Sequence, residues 1–260
     1  MNGELKKHII DFLNKGMRFD ERKPLEYRNV KVEYGISMNA EGSARVQIGD
    51  TVVFAGVKLA IEKPYPDTAD RGLLAVNAEL LPMSSPDFES GPPGMEAIEY
   101  ARIVDRGIRE SEMIDMEKLC IEEGEKAWSV MVDLIPINND GNLFDAFALA
   151  ALAALKDAKF PKVEDEVINY KEKTKEKLPI DEKKNVCSVT VLKIGNHFIV
   201  DPSIEEEKIS DARLTVATLS DGTLCALQKG GEAPLTDEEI LKMVDIAVEK
   251  TNELRKALPR

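Results

Sequence analysis

The sequence predicts an α+β protein built as two similar halves, each a mixed β-sheet with packed helices. Hairpin signals followed by a helical stretch occur twice, once before residue 160 and once after residue 185. Between them, residues 161–184 are dense in charge and poor in large apolar groups, which reads as an exposed charged connection. The expected organisation is a first half at 1–160 that includes an N-terminal helix, and a second half at 185–260.

The elements follow in order. Residues 3–15 carry Leu5, Ile9, Phe12 and Leu13 at helical spacing, and Gly16 can end that helix. Residues 30–37 alternate as a strand, and 43–48 with 51–61 form a hairpin across Gly49-Asp50. A proline-containing loop at 64–72 precedes a strand at 73–81, and a long polar loop, MSSPDFESGPPG, precedes a helix at 96–111. Residues 127–138 read as a buried strand. The turn NNDGN then leads into FDAFALAALAALKDA, a helix apolar nearly all round and so expected between layers. In the second half, 186–194 with 197–200 and 214–219 with 223–228 form hairpins around Gly195-Asn196 and Asp221-Gly222. A capping box, Thr236 with Glu239, opens a final helix over 236–258 whose Ile240, Val244, Ala247 and Leu254 face one way.

The helix at 96–111 has a basic stripe. At about 100° per residue, Arg102, Arg106 and Arg109 fall within roughly 60° of arc, and Ala101, Val104 and Ile108 lie opposite. The stripe stands out because the chain has a formal net charge of −13 over 260 residues. That balance opposes whole-surface binding of nucleic acid or anionic membrane but leaves room for a local basic patch. The three cysteines and two histidines show no metal spacing, so a disulfide framework, structural zinc and a serine or cysteine triad are not expected. No secretory signal or membrane-length apolar run is present, and a cytoplasmic location is expected.

Several stretches taken together resemble the RNase PH family, and within it the non-catalytic archaeal exosome branch. They are RFDERKPLEYR, AEGSARVQIGDTVVFAGV, PYPDTADRGLLAVNAELLP, IEYARIVDRGIRES, NNDGNLFDAFALAALAAL and VDPSIEEE, and the resemblance runs from about Arg18 to the last helix. One departure is Glu21, where the family usually has glycine. The resemblance implies an RNase PH-like fold. It also implies an alternating hexameric ring of three heterodimers with an active RNase PH-type subunit, RNA-binding cap proteins, and single-stranded RNA as the polymer handled. Active members use phosphate to shorten RNA from its 3′ end, which needs an anion cradle and carboxylates.

Those needs can be checked residue by residue. Where active relatives have a hydroxyl and an arginine before the apolar helix, this chain has Leu143 and Phe144. Asp145 adds a negative charge in the first turn, where it is expected to cap its own helix and repel a free phosphate. Asp211 can persist from the acidic pair, but Arg213 stands at the later position and is expected to neutralise its neighbour. Met95 and Glu96 replace two arginines ahead of the arginine helix. Glu205–Glu207 read as a solvated acidic loop.

The resemblance assigns Arg102 and Arg106 to RNA phosphates; the alternative is salt bridges with Glu99, Asp105 or acidic partner residues. Arg109 is left as a structural or interface residue. A catalytically silent ring subunit, needing no cofactor or metal of its own, fits these residues. An active phosphorolytic exoribonuclease lacks a working cradle, and a purely structural subunit leaves the arginine stripe to partner contacts.

Overall fold

The computed structural model describes residues 2–164 and 167–258. Helix α1 (Asn2–Leu13) leads into β1 (Val30–Tyr34), β2 (Gly42–Ile48), β3 (Thr51–Glu62) and β4 (Leu73–Ala78). Helix α2 (Met95–Ser111) is followed by β5 (Cys120–Glu122), β6 (Lys126–Asn138) and α3 (Leu143–Asp157). The first sheet runs β1-β2-β3-β6-β4 with β5 alongside β6, and only the β4–β6 pair is parallel. The expected hairpin closes with Ile48 opposite Thr51, Gly49 supplying a positive φ of 58°.

The second sheet is antiparallel, ordered β10-β9-β11-β12, from β9 (Cys187–Ile194), β10 (His197–Val200), β11 (Ala212–Thr218) and β12 (Leu224–Gly230). A short helix α4 (Ile204–Ile209) precedes β11, and α5 (Asp237–Arg255) closes the described chain. The Thr236–Glu239 capping box of α5 is formed in both directions, and Met243, Ala247 and Leu254 pack on Val189, Val191 and Val216. Helix α1, although first in sequence, lays Ile9 and Leu13 against Leu192, Ile194 and Ile199 of the second sheet.

Helix α3 is the centre of the molecule. Every residue from Leu143 to Leu155 is buried, as its all-round apolar sequence predicts, and its small alanines let both sheets approach it. One core therefore joins β2, β3 and β6 to α3 and α2, and reaches Val186, just ahead of β9, and Ala217 of β11.

Two expectations change. The segment at 161–184, read as an exposed charged connection, contains most of an antiparallel ribbon, β7 (Lys159–Glu164) with β8 (Val167–Lys177). Its charges pair with one another, Lys162 meeting Glu164 and Glu172, and the Lys58 ammonium sits 4.4 Å from the Tyr170 ring centroid. The ribbon is anchored at its base by Phe160, whose ring lies 5.2 Å from Trp128, and is charged beyond it. The acidic loop at Glu205–Glu207 is instead part of α4, capped by Ser203 and Glu206. No helix among the described residues is long and apolar enough to cross a membrane.

Candidate functional site

Helix α2 buries Ala97, Ile103, Val104, Gly107, Ile108 and Ser111 and leaves Arg102, Arg106 and Arg109 exposed, as the stripe predicts. These arginines line one side of an open groove of about 910 Å³; Ser188, Thr215 and Gln228 of the second sheet line the other. Two of the acidic residues beside the stripe are already taken. Asp105 accepts from Arg109 at 2.8 and 3.2 Å, and Glu99 pairs with Arg213 at 2.5 Å. Arg109 also donates to the Leu74 carbonyl at 3.2 Å. Arg102 and Arg106 make no ion pair among the described residues.

The turn ahead of α3 is clamped from several directions. The Thr51 hydroxyl donates to the Gly141 carbonyl at 2.6 Å and accepts the Asp140 N–H at 3.1 Å. Arg28 donates to the Asp140 carbonyl at 2.7 Å and its carboxylate at 2.9 Å. Gly141 has a φ of 86°, and a Cβ there would fall 2.4 Å from the Pro202 oxygen, so the loop before α4 lies directly on it. Asn142, also left-handed at φ 63°, sends its side-chain N–H to Asp201 at 2.9 Å. Its backbone N–H, facing the position where a helix start would receive an anion, donates to Glu207 at 2.8 Å.

Leu143 and Phe144 are buried and offer this turn no hydroxyl or cation. The Phe144 ring lies 4.5 Å from Tyr100 and 4.6 Å from the Arg213 guanidinium. Asp145 does not cap its own helix, contrary to the sequence expectation. Its carboxylate is fully buried and accepts the Thr190 N–H of β9 at 2.7 Å and the Tyr27 hydroxyl at 2.6 Å. The reason is that α3 is covered on every side, so a carboxylate in its first turn finds its donors in the neighbouring layer. Burial pushes Asp145 up to about 7, against those hydrogen bonds. Burial likewise lifts Glu207 to about 7, opposed by the Asn142 amide, Arg28 and Arg213.

Asp211 and Arg213 also depart from expectation, because they do not meet. Asp211 pairs with Lys6 of α1 and accepts the Gly195 N–H at 2.7 Å. Burial works against its ionisation, but those donors outweigh it and hold it below the usual carboxylate range. Arg213 instead reaches α2. The two lie on either side of the start of β11, so one serves the β9–β10 turn and the other the arginine helix. Among the described residues no group of three histidine, cysteine or acidic side chains is arranged to hold a metal ion.

A buried ion cluster was missed in the sequence. Asp201, fully buried at φ 48°, accepts from Arg22 at 2.7 Å and from Arg28 at 2.7, 2.8 and 2.9 Å. Arg18 meets Glu206 and the carbonyls of Val200 and Asp201. Burial opposes Asp201 ionisation, yet Arg28 and Arg22 hold it below its ordinary value. The signal was present as complementary charge, since RFDERKPLEYR supplies the arginines and VDPSIEEE the acids. Only Glu205 of the three consecutive glutamates is exposed.

Comparison with known proteins agrees with this architecture. Residues 26–161 match the 3′ exoribonuclease family, domain 1, and residues 184–250 match domain 2 of that family, RNase PH. The exosome complex component Rrp42 of Methanothermobacter thermautotrophicus is 49% identical over 252 residues, 96% of this chain and 92% of that protein. The Methanopyrus kandleri component of that name is 44% identical over 257 residues, covering 98% and 96%. Among solved structures, a chain of the Archaeoglobus fulgidus exosome with RNA bound to the active site superposes with a TM-score of 0.90 at 43% identity, covering 99% of each chain. Rice Rrp46, at 16% identity over 93% of this chain and 98% of that chain with a TM-score of 0.69, shares the fold alone.

Proposed function

Because the chain belongs to the RNase PH, 3′ exoribonuclease family, we propose that it is a non-catalytic subunit of an archaeal-type exosome. In this reading it alternates with an active RNase PH-type subunit in a hexameric ring of three heterodimers. It carries out no phosphorolysis, meets the RNA-binding cap proteins, and grips single-stranded RNA with Arg102 and Arg106 in the cytoplasm. Residues 1–160 and 185–260 act as the two RNase PH-type halves, joined through 161–184.

One contrast carries the proposal: an arginine groove left open beside an anion seat closed from within. The seat before α3 has Leu143 and Phe144 in place of the hydroxyl and cation, and its amide is spent on Glu207. Asp145 is spent on Tyr27 and Thr190, and Asp211 on Lys6 and Gly195. Arg102 and Arg106, by contrast, are exposed and have no carboxylate partner among the described residues. Guanidinium forks of that kind suit backbone phosphates.

The test has three arms. The purified chain alone, given oligo-RNA, phosphate and magnesium, is expected to release no nucleoside diphosphate; robust phosphorolysis would eliminate the non-catalytic reading. Mixed with the active subunit it is expected to form the ring. Replacing Arg102 and Arg106 by glutamate is expected to weaken RNA binding with the ring intact, and unchanged binding would favour a purely structural subunit.

A further inference from the structure

On α2, Glu99 precedes Arg102 by three residues, and Asp105 follows Arg102 by three and directly precedes Arg106. Residues three or four apart share a helix surface, and an acid N-terminal to a base is the favoured order. An isolated helix of this sequence would therefore pair Glu99 with Arg102. In the fold Glu99 instead lies 2.5 Å from Arg213. Arg213 is held there from two further sides. Its guanidinium carbon stacks 4.6 Å from the Phe144 ring centroid, and the Gly230 backbone passes so close that a Cβ would fall 2.4 Å from that carbon. Asp105 pairs with Arg109 four residues on, the favoured order within a helix, and Arg109 is also anchored on the Leu74 carbonyl. Glu110 follows Arg106 by four, in the less favoured acid-after-base order.

We propose that Arg213 and Arg109 are positioning residues that draw Glu99 and Asp105, the acids three residues to either side of Arg102, away from it, keeping that groove arginine free for an RNA backbone. This rests on the reading of Arg102 and Arg106 as RNA ligands. Both acids three residues from Arg102 are held by other cations, so that arginine stays open without either acid being removed from the helix. The position of the missing acidic residue, now Arg213, thus acquires a different task.

The test measures affinity for a fluorescein-labelled single-stranded oligoadenylate by anisotropy, using the full chain assembled in the ring. Arg213→Gln is expected to weaken binding by about 1.5- to 2-fold, the size of one helix-surface ion pair. Adding Glu99→Gln to that variant is expected to restore both the affinity and the original salt dependence. A crystal structure of Arg213→Gln is expected to place Glu99 within about 4 Å of the Arg102 guanidinium.

Full affinity in Arg213→Gln, alongside a loss in the Arg102→Glu, Arg106→Glu variant, overturns the proposal and leaves the RNA reading standing. A loss that persists in the double variant, with the salt slope lowered by about 0.7, means that Arg213 grips RNA itself and also overturns it. Full affinity in the Arg102→Glu, Arg106→Glu variant removes the RNA reading and this proposal together. If Arg213→Gln does not fold, Arg109→Gln with rescue by Asp105→Asn puts the same question on the exposed helix face.

Discussion

The carboxyl group of Glu207 stands 2.8 Å from the backbone nitrogen of Asn142, so the amide at the entrance to α3 is satisfied by an acceptor from the chain itself. Helix entrances carry partial positive charge and free N–H groups, which is why they receive phosphates elsewhere. Here the acceptor arrives on α4, with Arg28 and Arg213 near enough to favour its charge.

Glu207→Ala should therefore unmask the seat. Phosphate titrated into the variant is expected to bind weakly, detected by calorimetry or phosphorus NMR, while the parent chain shows no heat or shift. The variant is still expected to be inactive toward RNA, because Leu143 and Phe144 supply no hydroxyl or cation. No gain of phosphate binding would mean that the turn itself, and not Glu207, excludes the anion.

Stability is expected to fall as pH rises from about 4 to 7. Asp145 goes from an ordinary 3.8 to about 7 and Glu207 from 4.5 to about 7, both because burial disfavours their charge. Between those values the folded chain holds protons that the unfolded chain releases, so rising pH costs up to ~1.4 kcal/mol per unit for each group. Carboxylates held below their usual range, Asp201 among them, act in the opposite sense below about pH 4, outside this window. Urea denaturation across that range should show the decline, and Asp145→Asn should flatten it; a rising profile would reverse the assignment.

Asp201→Asn keeps a residue tolerant of the left-handed backbone but removes the charge that Arg22 and Arg28 share. Breaking a buried pair strands its partner, and a loss of roughly 3–5 kcal/mol is expected. Chemical denaturation at pH 7 measures it, and a change below about 1 kcal/mol would show that solvent reaches the cluster.

Arg102→Glu with Arg106→Glu should reduce the slope of log affinity against log salt by about 1.4, two single-strand phosphate contacts at ~0.7 each. Melting temperature should barely move, since both side chains are exposed and unpaired within the described chain. A salt slope equal to that of the parent would take RNA away from this face.

Local pattern carried much of the fold. The hairpin turns at Gly49 and Gly195, the capping box at Thr236 and the all-round apolar α3 are set by residues within a few positions of one another, and each formed. The β7–β8 ribbon escaped because its outer part is charged on both faces and shows no apolar alternation to count. The helix α4 escaped because three consecutive glutamates look solvated until Arg18 and the Asn142 amide are brought to them.

The sequence by itself determined the arginine stripe and the helix that both sheets cover. These follow from residue type and short spacing, which chain neighbours enforce. Tertiary structure alone decided the partners of each charge: Asp145 turned to Thr190 and Tyr27, Asp211 to Lys6, Arg213 to Glu99, and Glu207 to Asn142. Those pairs join residues from 45 to 205 positions apart, with Tyr27 and Asp145 at 118, Thr190 and Asp145 at 45, and Lys6 and Asp211 at 205. A buried or half-buried charge takes the donors or acceptors that packing puts beside it, and packing is fixed only when the two sheets close on α3.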